Sequence, residues 1–196
     1  MRWWLEKGID GFRLDVVNFI SKDTALPDDD PAKAPGSTGS SYYIDGPDIH
    51  RYLQEMNAQV FSGTDAVAIG ETPMVSKDAG AKYVDPSRNE LDLIFQFDHV
   101  TFDQREEGFW APPRNWKLTE LKEIMTEWRK AVSNTGGWNA TYLGNHDQPR
   151  VVSRFGDDGE YRRESAQTLA TLLLTISGTP FIFQGEEIGM TNYPFS

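Results

Sequence analysis

The sequence predicts an α/β chain built on parallel strands, and three observations predict it. Strand and helix signals alternate along the 196 residues, which is the order that strand-crossover-strand units produce. Candidate strands include short continuous apolar runs such as Ala66-Val67-Ala68-Ile69, the pattern of a strand covered on both faces. Acidic motifs stand at the ends of such runs: Gly11-Phe12-Arg13-Leu14-Asp15, Ile69-Gly70-Glu71-Thr72 and Gly144-Asn145-His146-Asp147. In a parallel barrel the carboxyl ends of the strands meet around one mouth, so acids far apart in sequence can converge there.

Each element follows from local pattern. Met1 to Lys7 reads as the last turns of a helix with Gly8 as its stop. Phe12 to Val17 reads as the first strand. A stretch rich in Asp, Pro, Gly and Ser follows from about Ser21 to Gly46, long enough to be a functional loop. Pro47 suits a first helical turn, and Ile49, Leu53, Met56 and Val60 recur at helical spacing until Gly63. Ala66 to Ile69 is the second strand and Leu91 to Phe97 the third. Leu121, Ile124, Met125, Trp128 and Val132 mark an amphipathic helix ended by Gly136-Gly137. Ala140 to Leu143 leads into the His146-Asp147 motif, Tyr161 to Ile176 is a largely apolar helix, and Pro180 to Phe183 is the fifth strand, entering Gln184-Gly185-Glu186-Glu187. There is no internal repeat and no signal of a second domain.

Composition narrows the function. The formal charge of −11 argues against nucleic acid or an anionic membrane surface as partner, because both reward a basic face. A neutral sugar is compatible with it. The chain has no cysteine, so neither a disulfide framework nor a thiolate metal site is available. No apolar run reaches the roughly 18 residues of a membrane span, and the amino end lacks the plan of a signal peptide. A cytoplasmic location is the expectation.

The motifs carry the chemistry. Side chains two apart share a face of a strand, so Arg13 and Asp15 point together while Phe12, Leu14 and Val16 point the other way. A guanidinium beside a carboxylate favours its ionised form, which a glycosyl nucleophile requires. A structural Arg/Asp pair at a rim is the plainer alternative. Glu71 follows four apolar residues, a place suited to a partly desolvated acid, although a Glu at a strand end, taken alone, is more often a rim charge or a loop contact. Taken alone, His146 reads as a hydrogen-bonded loop imidazole, and Asp147 as the cap of the turn before Pro149. A metal site there is poorly supported, since the three histidines, His50, His99 and His146, have no further ligand at suitable spacing. Trp110, Trp116 and Trp138 could stack on sugars, whereas Trp128 sits on an apolar helical stripe and reads as core. Asp28-Asp29-Asp30 reads as a solvated loop.

These motifs, in this order, resemble the alpha-amylase family of retaining glycoside hydrolases. The flanking text is similar to the oligo-1,6-glucosidase and dextran glucosidase branch, along the whole chain: Asp15-Val16-Val17-Asn18-Phe19-Ile20-Ser21-Lys22, Asn89-Glu90-Leu91, Phe95-Gln96-Phe97-Asp98-His99, Asn145-His146-Asp147-Gln148-Pro149-Arg150-Val151-Val152-Ser153-Arg154-Phe155-Gly156, and Gly178-Thr179-Pro180 with Gln184-Gly185-Glu186-Glu187-Ile188-Gly189-Met190. The resemblance implies a TIM (β/α)8 barrel in which the five strands are about strands four to eight. It implies Asp15 as nucleophile, Glu71 as acid/base and Asp147 as transition-state stabiliser. Arg13, His146 and Val16 become substrate-binding residues, with Glu186 and Glu187 as supports. Valine directly after the nucleophile accompanies action on α-1,6 linkages in that branch, where α-1,4-selective relatives carry threonine.

A complete barrel takes about 250 residues, so the resemblance also implies an internal piece of the catalytic domain. The first three strands, the inserted domain after the third, and the β-sandwich that follows the barrel are expected to be absent, and 1–196 alone is expected to be inactive. An oligosaccharide substrate is implied, with no cofactor and no metal. Transglucosylation or isomerisation within the family, a non-catalytic scaffold of the same fold, and a metal-dependent phosphohydrolase are the competing readings.

Overall fold

Three parallel strands organise the first part of the chain: β1 (Gly11–Leu14), β2 (Val67–Glu71) and β3 (Leu93–Phe95). The register pairs Arg13 with Ile69, Leu14 with Gly70, and Glu71 with Phe95, so the tips of β1 and β2 end side by side. The computed structural model describes residues 1–30, 32, 39–105 and 113–193. Within them the chain forms two compact units: Met1–Asp98 with Lys122–Trp138, and His99–Leu121 with Asn139–Ser196.

In the first unit, α1 (Arg2–Glu6) precedes β1, and α2 (Ile49–Met56) follows the long loop. The predicted apolar stripe is the buried one, with Ile49 and Leu53 in the core and Met56 and Val60 packed against it. The helix widens into a π-turn over Asn57–Phe61, which carries Phe61 into the core beside Phe12, ring centroids 6.0 Å apart. Gly63, with φ of 80°, turns the chain where a side chain would be strained. Helix α3 (Lys77–Tyr83) follows β2, capped by Ser76, whose hydroxyl accepts the Ala79 N–H at 3.2 Å. It lies against Trp128 of α5 (Leu118–Asn134) so closely that a Cβ on Gly80 would fall 2.6 Å from the indole. Trp128 is core, as predicted, and its indole N–H donates to Asp98 at 2.7 Å.

The second unit holds α4 in part (Asp98–Thr101), β4 (Ala140–Thr141), α6 (Val151–Phe155), α7 (Arg162–Thr175) and β5 (Thr179–Pro180). Strands β4 and β5 pair in parallel through two residues each. The fifth strand therefore begins one residue earlier than the pattern predicts and ends at Pro180, since the chain turns at Phe183 into the short 3₁₀ helix Glu186–Ile188. Buried polar groups anchor this unit. Arg154 forks onto both oxygens of Asp103 and also donates to the Val100 carbonyl at 2.9 Å and to Gln148 at 2.8 Å. Phe102, Trp116 and Phe155 form an aromatic cluster, in which Trp116 is half-buried against the protein's own rings. Trp138 is exposed in the first unit, and Trp110 lies outside the described residues.

Candidate active site

Strand β1 ends at Leu14, one residue before the predicted nucleophile, and the chain turns at once. Asp15 is thus on the turn rather than in the strand that the pattern predicts to run to Val17. Val16 adopts the left-handed conformation, φ 35° and ψ 45°. For a β-branched residue that conformation costs about 1–3 kcal/mol, held by its surroundings. Val16 is therefore not on the Phe12/Leu14 face of a strand. What holds it is visible: its N–H donates to Glu71 Oε2 at 3.0 Å, its carbonyl accepts the Phe19 N–H at 2.9 Å, and Val17 is buried in the core.

Arg13 still meets Asp15, as the two-residue spacing predicts, and it does more. One terminal nitrogen binds Asp15 Oδ1, and the other binds Glu71 Oε1 at 2.7 Å. One guanidinium thereby bridges two carboxyls that are 56 residues apart in sequence. Their surroundings differ sharply. The Asp15 side chain is 76% exposed and that of Glu71 7%, so the first is open to a substrate while the second is fixed at both oxygens. Glu71 is the last residue of β2, as predicted.

His146 and Asp147 stand in the second unit, in the turn after β4, with His146 Nε2 and Asp147 Oδ2 3.4 Å apart and both side chains exposed. The cap of that turn is Asn145, whose Oδ1 accepts the Asp147 N–H at 2.9 Å; Asp147 does not cap it. Glu186 accepts the Phe183 N–H at 3.1 Å and Glu187 the Gly185 N–H at 2.7 Å. Burial pushes the Glu186 carboxyl above its ordinary range, against the pull of the Phe183 N–H and Arg150. A Cβ on Gly144 would lie 2.7 Å from Glu186 Oε1, so this glutamate packs on the backbone that leads into Asn145-His146-Asp147.

Sequence reasoning gave no role to Asn18, Arg154 or Asp103. Arg154 and Asp103 lie 51 residues apart, and no local pattern links them. Among the described residues no three His, Asp or Glu side chains converge as a metal site. None of the described helices is long and apolar enough to cross a membrane.

An exposed and a buried carboxyl bridged at neighbouring parallel strand tips is a pairing suited to acid/base and nucleophilic chemistry on a neutral substrate. The chain belongs to the alpha-amylase catalytic-domain family, whose model matches residues 1–196. The family's fold is the TIM barrel, and the parallel strands with helical crossovers agree with it. The chain is 54% identical over 196 residues to an oligo-1,6-glucosidase of Parageobacillus thermoglucosidasius, covering 100% of this chain and 34% of that protein. It superposes on the crystal structure of a trehalose-6-phosphate hydrolase of Bacillus licheniformis with a TM-score of 0.87 and 47% identity, covering 97% of this chain and 33% of that one. For an isomaltulose synthase of Klebsiella sp. LX3 the TM-score is 0.92 at 42% identity, covering 99% and 34%. The chain spans about a third of the length of the relatives it matches.

Proposed function

We propose that this chain carries the nucleophile and acid/base of a retaining α-glucosidase acting on α-1,6-linked oligosaccharides from the non-reducing end. The observation that carries the reading is the single guanidinium shared by Asp15 and Glu71. Two carboxyls within reach of one fork agree with the short separation of retaining enzymes, in which no water has to fit between acid and sugar. Asp15, exposed, attacks the anomeric carbon as the glycosidic bond breaks. Glu71 gives its proton to the leaving oxygen and then takes one from the water that releases the sugar from Asp15. Asp147 and His146 bind hydroxyls of the reacting sugar, and Glu186 and Glu187 support that loop. The five strands correspond to strands four to eight of the family's barrel, within a partial catalytic domain.

The α-1,6 preference rests on Val16 and on the names of the relatives at 51–54% identity, all oligo-1,6-glucosidases. Isomerisation is the second reading, favoured by the isomaltulose synthase likeness.

The test is a chimera in which these 196 residues replace the matching third of the Parageobacillus thermoglucosidasius relative. It is assayed on isomaltose, maltose and sucrose, with proton NMR of the first product. Turnover of isomaltose releasing α-glucose, lost by at least about 10³-fold in Asp15→Asn, is the expected result. β-Glucose as the first-formed anomer overturns the double displacement, and isomaltulose formed from sucrose replaces hydrolysis by isomerisation.

A further inference from the structure

We propose that Asn18 is a positioning residue that locks the turn carrying Asp15 against the loop carrying Glu71, an inference that rests on the retaining roles given to those two carboxyls. Asn18 lies three residues after Asp15 and is fully buried. Its Nδ2 donates to the carbonyl of Pro73 at 3.0 Å, two residues past Glu71. Its backbone carbonyl accepts the Asp45 N–H at 2.9 Å, which ties in the returning end of the long loop. The opposite side of the Glu71 loop is held as well, because buried Thr72 donates its N–H at 3.0 Å and its hydroxyl at 3.3 Å to the Phe95 carbonyl.

Three ties thus join the two tips: Arg13 to Glu71, the Val16 N–H to Glu71, and Asn18 to Pro73. The first two run through the Glu71 carboxyl, whose charge changes at each half of the reaction. Both therefore weaken when Glu71 is protonated, since a neutral carboxyl is a poorer acceptor. The Asn18 amide is neutral and binds a backbone carbonyl, so its strength does not follow the proton. It can hold the spacing of nucleophile and acid constant while Glu71 alternates between acid and base. The strained Val16 turn supplies the need, because a left-handed valine relaxes unless the chain after it is anchored, and Asn18 is the second residue beyond it. Asn18 Oδ1 is buried with no hydrogen-bond partner among the described residues. An amide satisfied at one end alone is an unfavourable way to fill space, and its donor is what the site gains.

The experiment uses the same chimera with Asn18→Ala and the equally sized Asn18→Asp, which lacks the donor. It measures kcat and KM on isomaltose and on a dinitrophenyl α-glucoside, whose leaving group needs little protonation. The expected result is a kcat on isomaltose lower by about 10- to 100-fold, the scale of an ångström-sized misplacement, with KM changed by less than about threefold. The loss on the activated glucoside should be several-fold smaller, and azide should accelerate its turnover by attacking the glucosyl-Asp15 ester without base assistance. A merely structural role would lower both substrates alike and give azide no effect, and that result overturns the proposal, as does parent-like turnover. If Asn18→Ala does not fold, Asn18→Asp is read; if neither folds, Asn18 belongs to the scaffold alone and the proposal fails. A parent chimera that cleaves neither glucoside overturns the retaining reading, and this inference with it.

Discussion

The tip of β1 and the segment after β4 use an arginine in opposite ways. Arg13 is partly exposed and directs its terminal nitrogens to two carboxyls, one open to solvent and one buried. Arg154 is 6% exposed and gives its donors to buried Asp103, a backbone carbonyl and Gln148, while His146 and Asp147 a few residues earlier stay exposed. The same side chain reaches an exposed carboxyl in one region and only buried partners in the other. The difference teaches that the Asp15 and Glu71 carboxyls are oriented by the protein itself, whereas the second unit spends its polar bonds on fixing the backbone and leaves Asp147 exposed; under the function proposed above, the first pair is set before a substrate arrives and the second acid is oriented by it.

The largest expected effect tests that division directly. In the chimera, Arg154→Met should lower stability by about 3–5 kcal/mol, because Asp103 is then left buried and unpaired. Arg13→Met should lower it less, because Asp15 is solvated already and buried Glu71 keeps the Val16 N–H after losing its guanidinium, and should instead abolish turnover. Urea unfolding with a parallel isomaltose assay checks both. Equal losses of stability would erase the distinction between the two arginines.

Acid should also act through the second unit. His99 is buried with Nε2 donating to the Tyr142 carbonyl at 2.7 Å, and burial pulls it down to about 4 from 6.5. The folded state therefore keeps it neutral while the unfolded chain takes up a proton below about 6.5. Stability is full above that pH and falls as pH drops toward 4, by on the order of 3 kcal/mol at about 1.4 kcal/mol per unit. His99→Phe, which fills the site without titrating, should flatten the curve between pH 6.5 and 4. A slope identical to the parent's would remove His99 as its source.

The Val16 site offers a cleaner comparison than most, since threonine is β-branched like valine and keeps the same left-handed strain. Val16→Thr changes the chemistry of the wall with little change of backbone. The maltose-to-isomaltose ratio of kcat/KM should rise about tenfold, or about 1.4 kcal/mol in relative barrier. An unchanged ratio would leave the α-1,6 preference without a residue to explain it.

The long periodic elements were legible because their burial follows their spacing. Ile49 and Leu53 on α2, and Trp128 and Val132 on α5, are core as the pattern says. Arg13 and Asp15 were legible for the same kind of reason, and Glu71 because a buried strand ends on it. Helices α3, α4 and α6 were not, being seven, four and five residues long, too short to show a period. In α3 the position of Gly80, which the closeness of Trp128 requires, further disguises the helix. The bonds that make the site, Arg13 to Glu71 and Asn18 to Pro73, join residues more than fifty apart, and no local pattern announces a long-range hydrogen bond. The left-handed Val16 was hidden too, since valine is the residue that strand propensity would place in an extended chain.

The smallest predicted effect concerns Glu186, the second unit's partly satisfied carboxyl. Its Oε2 accepts the Phe183 N–H at 3.1 Å, while Oε1 is buried without a partner among the described residues. Burial raises its proton affinity above the ordinary glutamate level of 4.5. The folded state therefore holds the proton more tightly than the unfolded chain, so this group's contribution is most favourable below about 4.5 and is lost as pH rises through the folded value. Glu186→Gln removes the charge at every pH and keeps an oxygen for the Phe183 N–H. At pH 7 it should raise stability by on the order of 0.5 kcal/mol, a small gain because the amide NH2 inherits the unpartnered place of Oε1. Paired thermal unfolding of variant and parent should show that gain shrinking toward zero as pH is lowered past 4.5. A gain independent of pH would mean that the charge is not the penalty, and the contrast between Glu71, bonded at both oxygens at the tip of β2, and Glu186, bonded at one beyond β5, would be lost.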